Sequence, residues 1–127
     1  MKKLFCILVV ILMLCTCLTS CAMSAQELEE AVSGSIFVNR DGMENYYCVL
    51  VFYQDNTVHF GFINKYTGDT NTDYSSTWSI EEGSLFSDAT LKIGNAVWTY
   101  DEESNTITNE DGSTTYTRDD EFKVSLK

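Results

Sequence analysis

The stretch that decides the fold is "NYYCVLVFYQDNTVHFGFINK", residues 45–65. Two runs rich in aromatic and β-branched residues flank a turn pair, Asp55–Asn56, which predicts an antiparallel hairpin. A two-residue loop would pair Gln54 with Thr57, and therefore Tyr53 with Val58, Val51 with Phe60, Val49 with Phe62 and Tyr47 with Asn64. That face is almost wholly apolar, so Tyr47, Val49, Val51, Val58, Phe60 and Phe62 are the expected core. The opposite face would pair Phe52 with His59, Leu50 with Gly61 and Cys48 with Ile63. It is also apolar, whereas a half-exposed antiparallel sheet alternates more cleanly. Something is therefore expected to cover both faces: the sheet curling on itself, a helix over 24–32, a partner or a ligand. Leu50, Phe52, His59 and Ile63 form the candidate ligand-binding surface, with one polar group among apolar ones. Gly61 in mid-strand allows a bend or a close approach.

The same rhythm continues on either side. "SIFVN" precedes the hairpin as a strand. After it, "YTGDTNTD" reads as a polar loop, and "YSSTWSIE", "SLFS", "ATLKI", "AVWTYD", "TITNE" and "STTYTR" read as short strands. Turn signals such as Gly94–Asn95 and Asp111–Gly112 separate them. The C-terminal "FKVSL" is expected as an edge strand. These short strands with hairpin-length links leave no room for crossover helices. The expected fold is all-β, a small antiparallel meander closing as a barrel or half-barrel over residues 34–127. Before it, "AMSAQELEEAV" carries a capping box, Ser24 with Glu27, and places Leu28 and Val32 one turn apart. Residues 21–33 are thus expected as a short, partly helical tether.

Charge divides the chain sharply. Residues 1–20 hold two lysines and no acid. From Ala22 onward there are six basic side chains and all nineteen acidic ones, a net of −13. Such a balance disfavours nucleic acid, whose phosphates need a Lys/Arg footprint, and disfavours lying flat on anionic lipid. It serves solubility or suits a cationic partner.

The first twenty residues explain themselves differently. "MKK" is a basic start, and Leu4–Leu18 is an apolar run of 15 residues, shorter than the roughly 20 that span a bilayer. "LTSC", Leu18 to Cys21, follows. This pattern resembles the signal of bacterial lipoproteins: an aliphatic residue, two small residues and a cysteine. The resemblance implies a signal peptide over residues 1–20, lipidation of Cys21, and a place in the bacterial cell envelope with a membrane held through that lipid. A conventional signal cut near Ala22 or Ala25 and a retained anchor are the alternatives. Cys6, Cys15 and Cys17 would be discarded, leaving Cys48 without an intrachain partner. Region 34–118 resembles the small lipocalin-like domains of such lipoproteins, on "GSIF", "LVFYQDNTV", "STWSIEEGSL" and "VWTYDEESNTITNEDGSTTYTR". Ile36 stands where the lipocalin Gly-x-Trp motif has its Trp.

Chemistry is sparse. In the register above, Cys48 and His59 share a face but stand about 13 Å apart, too far for a nucleophile–base pair. Asp69, Asn71 and Asp73 match the first three ligand positions of a calcium loop. The glycine it requires is replaced by Tyr74 and its last glutamate by Ile80. No catalytic residue, metal or cofactor is expected, and the chain is not expected to be an enzyme. The expected function is a membrane-anchored β-barrel that binds an apolar or amphipathic small molecule. The alternative is an interaction, structural or inhibitor-like lipoprotein with a filled barrel and a protein partner.

Overall fold

The computed structural model describes residues 22–84, 86–124 and 126; the expected signal peptide, residues 1–20, and Cys21 lie outside them. A short helix, α1 (Ala25–Val32), leads into eight strands: β1 (Ile36–Asn39), β2 (Tyr46–Phe52), β3 (Thr57–Asn64), β4 (Thr70–Glu81), β5 (Thr90–Ile93), β6 (Ala96–Asp101), β7 (Thr106–Asn109) and β8 (Thr115–Arg118). Each strand pairs antiparallel with the next. β8 returns to β1 through Phe37–Arg118 and Val38–Thr117, closing the barrel. The all-β meander expected from the sequence is thus a closed eight-stranded barrel. At this strand number the interior is just wide enough for side chains to fill.

The β2–β3 turn differs from the expected one by a single residue. Its loop is Gln54–Asp55–Asn56, three residues, with Asn56 in the left-handed region at φ 66°. Tyr53 N donates to Thr57 O (2.8 Å) and Asn56 N to Tyr53 O (3.1 Å). A left-handed third residue is the usual way a three-residue hairpin loop matches strand twist, and asparagine tolerates it better than most. Trp78 of β4 clamps the turn: its N donates to Asn56 O (2.9 Å), its indole Nε1 to Tyr53 O (3.0 Å), and its O accepts from Asn56 Nδ2 (3.3 Å).

The pairing that results is Phe52–Val58, Leu50–Phe60 and Cys48–Phe62, with Val51–His59, Val49–Gly61 and Tyr47–Ile63 between them. A one-residue slip moves one strand's whole side-chain set across the sheet relative to its partner. The expected register and core face are corrected accordingly. Cys48, Leu50, Phe52, Val58, Phe60 and Phe62 point into the barrel, joined there by Phe37, Trp78, Leu91 and Ile107. Tyr47, Val49, Val51 and Ile63 lie outside.

Both faces are covered, as the doubly apolar hairpin requires. The inner face is covered by the barrel closing on itself. The outer face is covered by the C-terminal segment, which lies across β1–β3 and whose described residues form no edge strand. Asp119 N donates to Ile36 O (2.9 Å), the Phe122 ring meets Tyr47 edge-on at 6.3 Å, and Leu126 packs with Val38, Val49, Val51 and Ile63. Leu126 N donates to the Tyr53 hydroxyl, and Thr72 Oγ1 to Leu126 O, both at 2.9 Å. Gly61 makes this seat: a Cβ there would stand 2.9 Å from Leu126 and 2.7 Å from the Asn71 carbonyl oxygen. The ladder to β4 shifts register between Phe60 and Gly61.

Three further expectations are corrected. "DTNTD" is not all loop, because β4 begins at Thr70; its first residues are exposed, so no alternation announces it. Of "SLFS", Ser84 and Ser87 form an isolated bridge with each other and belong to no strand. The segment before the barrel is not a tether from Met23 onward. The Ser24 hydroxyl accepts from Glu27 N (3.2 Å), as the capping box requires, and Leu28 and Val32 are fully buried in the core. An eight-residue helix is marginal alone, so α1 is held by closing one end of the barrel.

Phe52 is fully buried, whereas Phe60 is only partly so. In urea denaturation Phe52→Ala is expected to cost about 3–5 kcal/mol, the range for a buried aromatic, and Phe60→Ala distinctly less. Asn56→Ala is expected to lose roughly 1–2 kcal/mol from the left-handed backbone. Asn56→Gly, which keeps that conformation accessible, is expected to lose less in the same assay.

Candidate binding mouth

The two ends of the barrel differ in chemistry. At the end closed by α1, Phe37, Phe52, Leu91 and Ile107 fill the interior with no exposure. Toward the other end the lining stays aromatic but opens to solvent. Tyr46 starts β2, Phe60 and Phe62 lie late in β3, Tyr74 early in β4, Trp98 early in β6 and Tyr116 early in β8. Tyr46 is 37% exposed and Tyr74 53%, while Phe60, Phe62 and Trp98 are half-buried. The rings stack around the mouth: Tyr46 on Phe62 at 6.3 Å, Phe62 on Phe60 at 5.1 Å, Phe60 on Tyr74 at 5.3 Å, and Trp98 on Tyr116 at 5.9 Å. The result is a shallow aromatic cup over a packed floor.

The rim is acidic. Asp41 and Glu44 lie in the β1–β2 loop, Asp69 between β3 and β4, Asp73 on β4, and Glu110 and Asp111 between β7 and β8. Hydrogen bonds donated to its carboxylate by the side chain and the backbone N–H of Ser113 hold Asp111 below the usual carboxylate range, so it is ionised at neutral pH. The cations near this end are turned to the outer face. Lys65 Nζ donates to the carbonyls of Arg40 and Met43, each at 3.1 Å, and lies 5.2 Å from the Tyr47 ring centroid. Arg40 pairs with Asp119 and also lies over Tyr47. One cleft of about 510 Å³ joins aromatic and acid directly: Trp98 lines it together with Ala96, Val97, Asn109, Glu110 and Asp111.

The four residues expected to form a ligand surface are not brought together. Leu50 and Phe52 are sealed in the barrel core, and Ile63 is buried outside beneath Leu126. His59 is also on the outer side, its ring edge-on to Tyr53 at 5.2 Å and its Nδ1 without a hydrogen-bond partner. The register slip is the reason. Cys48 and His59 consequently stand on opposite faces of the sheet. Asn71 and Asp73 belong to an extended strand, not to a loop that could wrap a cation. Among the described residues no three His, Cys, Asp or Glu side chains converge.

Two titrating groups face the cup's floor. Burial, and after it the neighbouring Cys48 and Tyr74, push the Tyr116 phenol well above its ordinary value. Burial likewise raises the Cys48 thiol, opposed by Lys65. A raised pKa leaves less thiolate at any given pH, and the thiolate is the reactive form. Cys48 is therefore expected to react with a maleimide at pH 8 at least about tenfold more slowly than an unhindered thiol, with the difference vanishing in urea. Peptide mass spectrometry focused on Cys48 reads the outcome.

Comparison with models of known protein families, with characterised proteins and with solved structures finds no match to this chain.

Proposed function

We propose that this is a lipid-anchored protein of the bacterial cell envelope whose barrel is a binding module, not a catalyst. It takes an amphipathic, positively charged ligand at its open end. The observation that supports this most directly is the mouth itself: half-exposed aromatic rings inside a rim of carboxylates, with the nearby cations turned away. Aromatic faces attract cations electrostatically, and quaternary ammonium groups are recognised in such surroundings. The apolar part of the ligand would lie on Phe60, Phe62 and Tyr74, and its charge near Glu110 and Asp111. The packed floor makes this a shallow site and not a deep calyx. The anchor rests on "LTSC" ending at Cys21 and on the basic and apolar segments before it.

The packed interior also favours a second reading, in which a cationic segment of a protein partner lies across the same mouth. The two are separated by ligand size. Titration with dodecyltrimethylammonium below its micelle concentration, followed by Trp fluorescence and native mass spectrometry, is expected to show saturable one-to-one binding. The neutral maltoside of the same chain length should bind less well and dodecyl sulfate least. Tyr74→Ser, at an exposed position, is expected to weaken the cationic ligand by roughly threefold to tenfold without lowering stability. Binding indifferent to headgroup charge and to Tyr74 would defeat the small-ligand reading. Replacing Cys21 with Ala is expected to release the protein from the membrane fraction or leave it unprocessed; mass spectrometry of the N-terminal peptide reads which.

A further inference from the structure

The chain meets the barrel at the closed end, and it does so without slack. Met23 N donates to Asp88 Oδ1 (2.6 Å), and Ala89 N donates to Met23 O (2.9 Å). Met23 itself packs against the barrel core. The next residue, Ser24, caps α1, whose Leu28 and Val32 are fully buried. Between this fixed point and the sulfur of Cys21 there is only Ala22. Two extended residues reach about 7 Å. A lipid on Cys21 would therefore hold the closed end of the barrel against the bilayer surface, with little freedom to turn over.

The loop that grips Met23 carries an independent sign of that contact. Phe86, between Glu82 and Ala89, is 93% exposed. Its turn is well braced: Ser84 N donates to Ser87 O at 3.1 Å, the two serine hydroxyls meet at 2.9 Å, and Phe86 N donates to Ser84 Oγ at 3.3 Å. Among the described residues the other exposed large apolar side chains are Met43, Tyr46, Tyr66 and Tyr74. All four sit at the open end or in its loops. Phe86 alone stands at the closed end, next to the point where the chain leaves toward Cys21. Leaving a phenyl ring wholly in water is costly, and the acyl–headgroup boundary is a natural place to bury it. Glu82 lines a cleft of about 530 Å³ with Ala22–Gln26, so a carboxylate lies where the chain leaves toward Cys21. That suits the choline of a zwitterionic headgroup better than an anionic lipid.

We infer that the closed end is a membrane-docking face: Phe86 enters the interface of a zwitterionic bilayer beside the acyl chains on Cys21. The aromatic mouth then points away from the membrane, toward whatever it binds. This rests on the lipidation of Cys21 proposed above.

The test uses the full chain, processed in cells and reconstituted in phosphatidylcholine vesicles that contain a phosphatidylcholine with a diazirine on its acyl chain. After illumination, labelled peptides are mapped by mass spectrometry. Label is expected on the peptide carrying Phe86 and not on those carrying Tyr66 or Tyr74. Phe86→Ser is expected to reduce it by about tenfold, the effect of withdrawing one large apolar side chain, with Cys21 still acylated and circular dichroism unchanged. An acylated Cys21 with no label at Phe86, with equal label at Tyr66 and Tyr74, or with no loss in Phe86→Ser overturns the docking face and leaves the anchor standing. An unmodified Cys21 peptide overturns the anchor and the docking face together.

Discussion

The clamp between Trp78 and the Gln54–Asn56 turn fixes which side of the longest apolar hairpin is the inside. Asn56 takes up a left-handed backbone; the Trp78 N–H donates to its carbonyl, the Trp78 C=O accepts from its side-chain amide, and the indole donates to the Tyr53 carbonyl. From this geometry β2 and β3 have a single register, and with it Cys48, Leu50, Phe52, Val58, Phe60 and Phe62 face the lumen. Phe52 then meets Phe37 and Trp78 edge-on, at 5.5 and 6.1 Å. Trp78 is thus both the clamp on the turn and part of the core that the turn orients. The outer face left over is apolar too, and the C-terminal segment has somewhere to bind only because that face exists.

Most of the fold is legible in the sequence because each strand pairs with its neighbour and each turn carries its own signal. Ser24 and Glu27 mark the start of α1, and Gly94 and Gly112 mark turns that need positive φ. What is hidden is a matter of one residue. Asp55–Asn56 serves equally as a two-residue loop or as the last two residues of a three-residue loop. When both faces of a hairpin are apolar, burial cannot choose between them. The candidate site inherits that ambiguity: Leu50 and His59 share a face in one register and lie on opposite sides of the wall in the other. The cup was hidden for the same reason. Its rings, from Tyr46 to Tyr116, come from five strands and become one surface only when the barrel closes. The covering role of the last residues leaves even less trace, since "FKVSL" alternates as an edge strand would.

The barrel is strongly asymmetric along its axis. One end is shut by α1 and gripped by the chain entering at Met23. The other is an aromatic cup with carboxylates around it. Such a division lets loops at the open end vary without disturbing the packing at the closed end. The negative charge is distributed in keeping with this division. Lys65 and Arg40 are spent on Tyr47, Asp119 and nearby carbonyls on the outer wall, and the acids around the mouth are left to set its potential.

The seam between β1 and β8 governs how the molecule is assembled. Every other strand pair joins neighbours in the chain, so its loop closes at small entropic cost and its hairpin can form early. The seam joins Phe37 to Arg118 and Val38 to Thr117, positions at opposite ends of the domain, through two residues of a four-residue strand. The C-terminal segment docks on the same region through Ile36, Tyr47 and Val49. Closure therefore waits for nearly the last residues of the chain to emerge. Until then the meander remains an open sheet with β1 as an exposed edge, a template for pairing with other chains until β8 covers it.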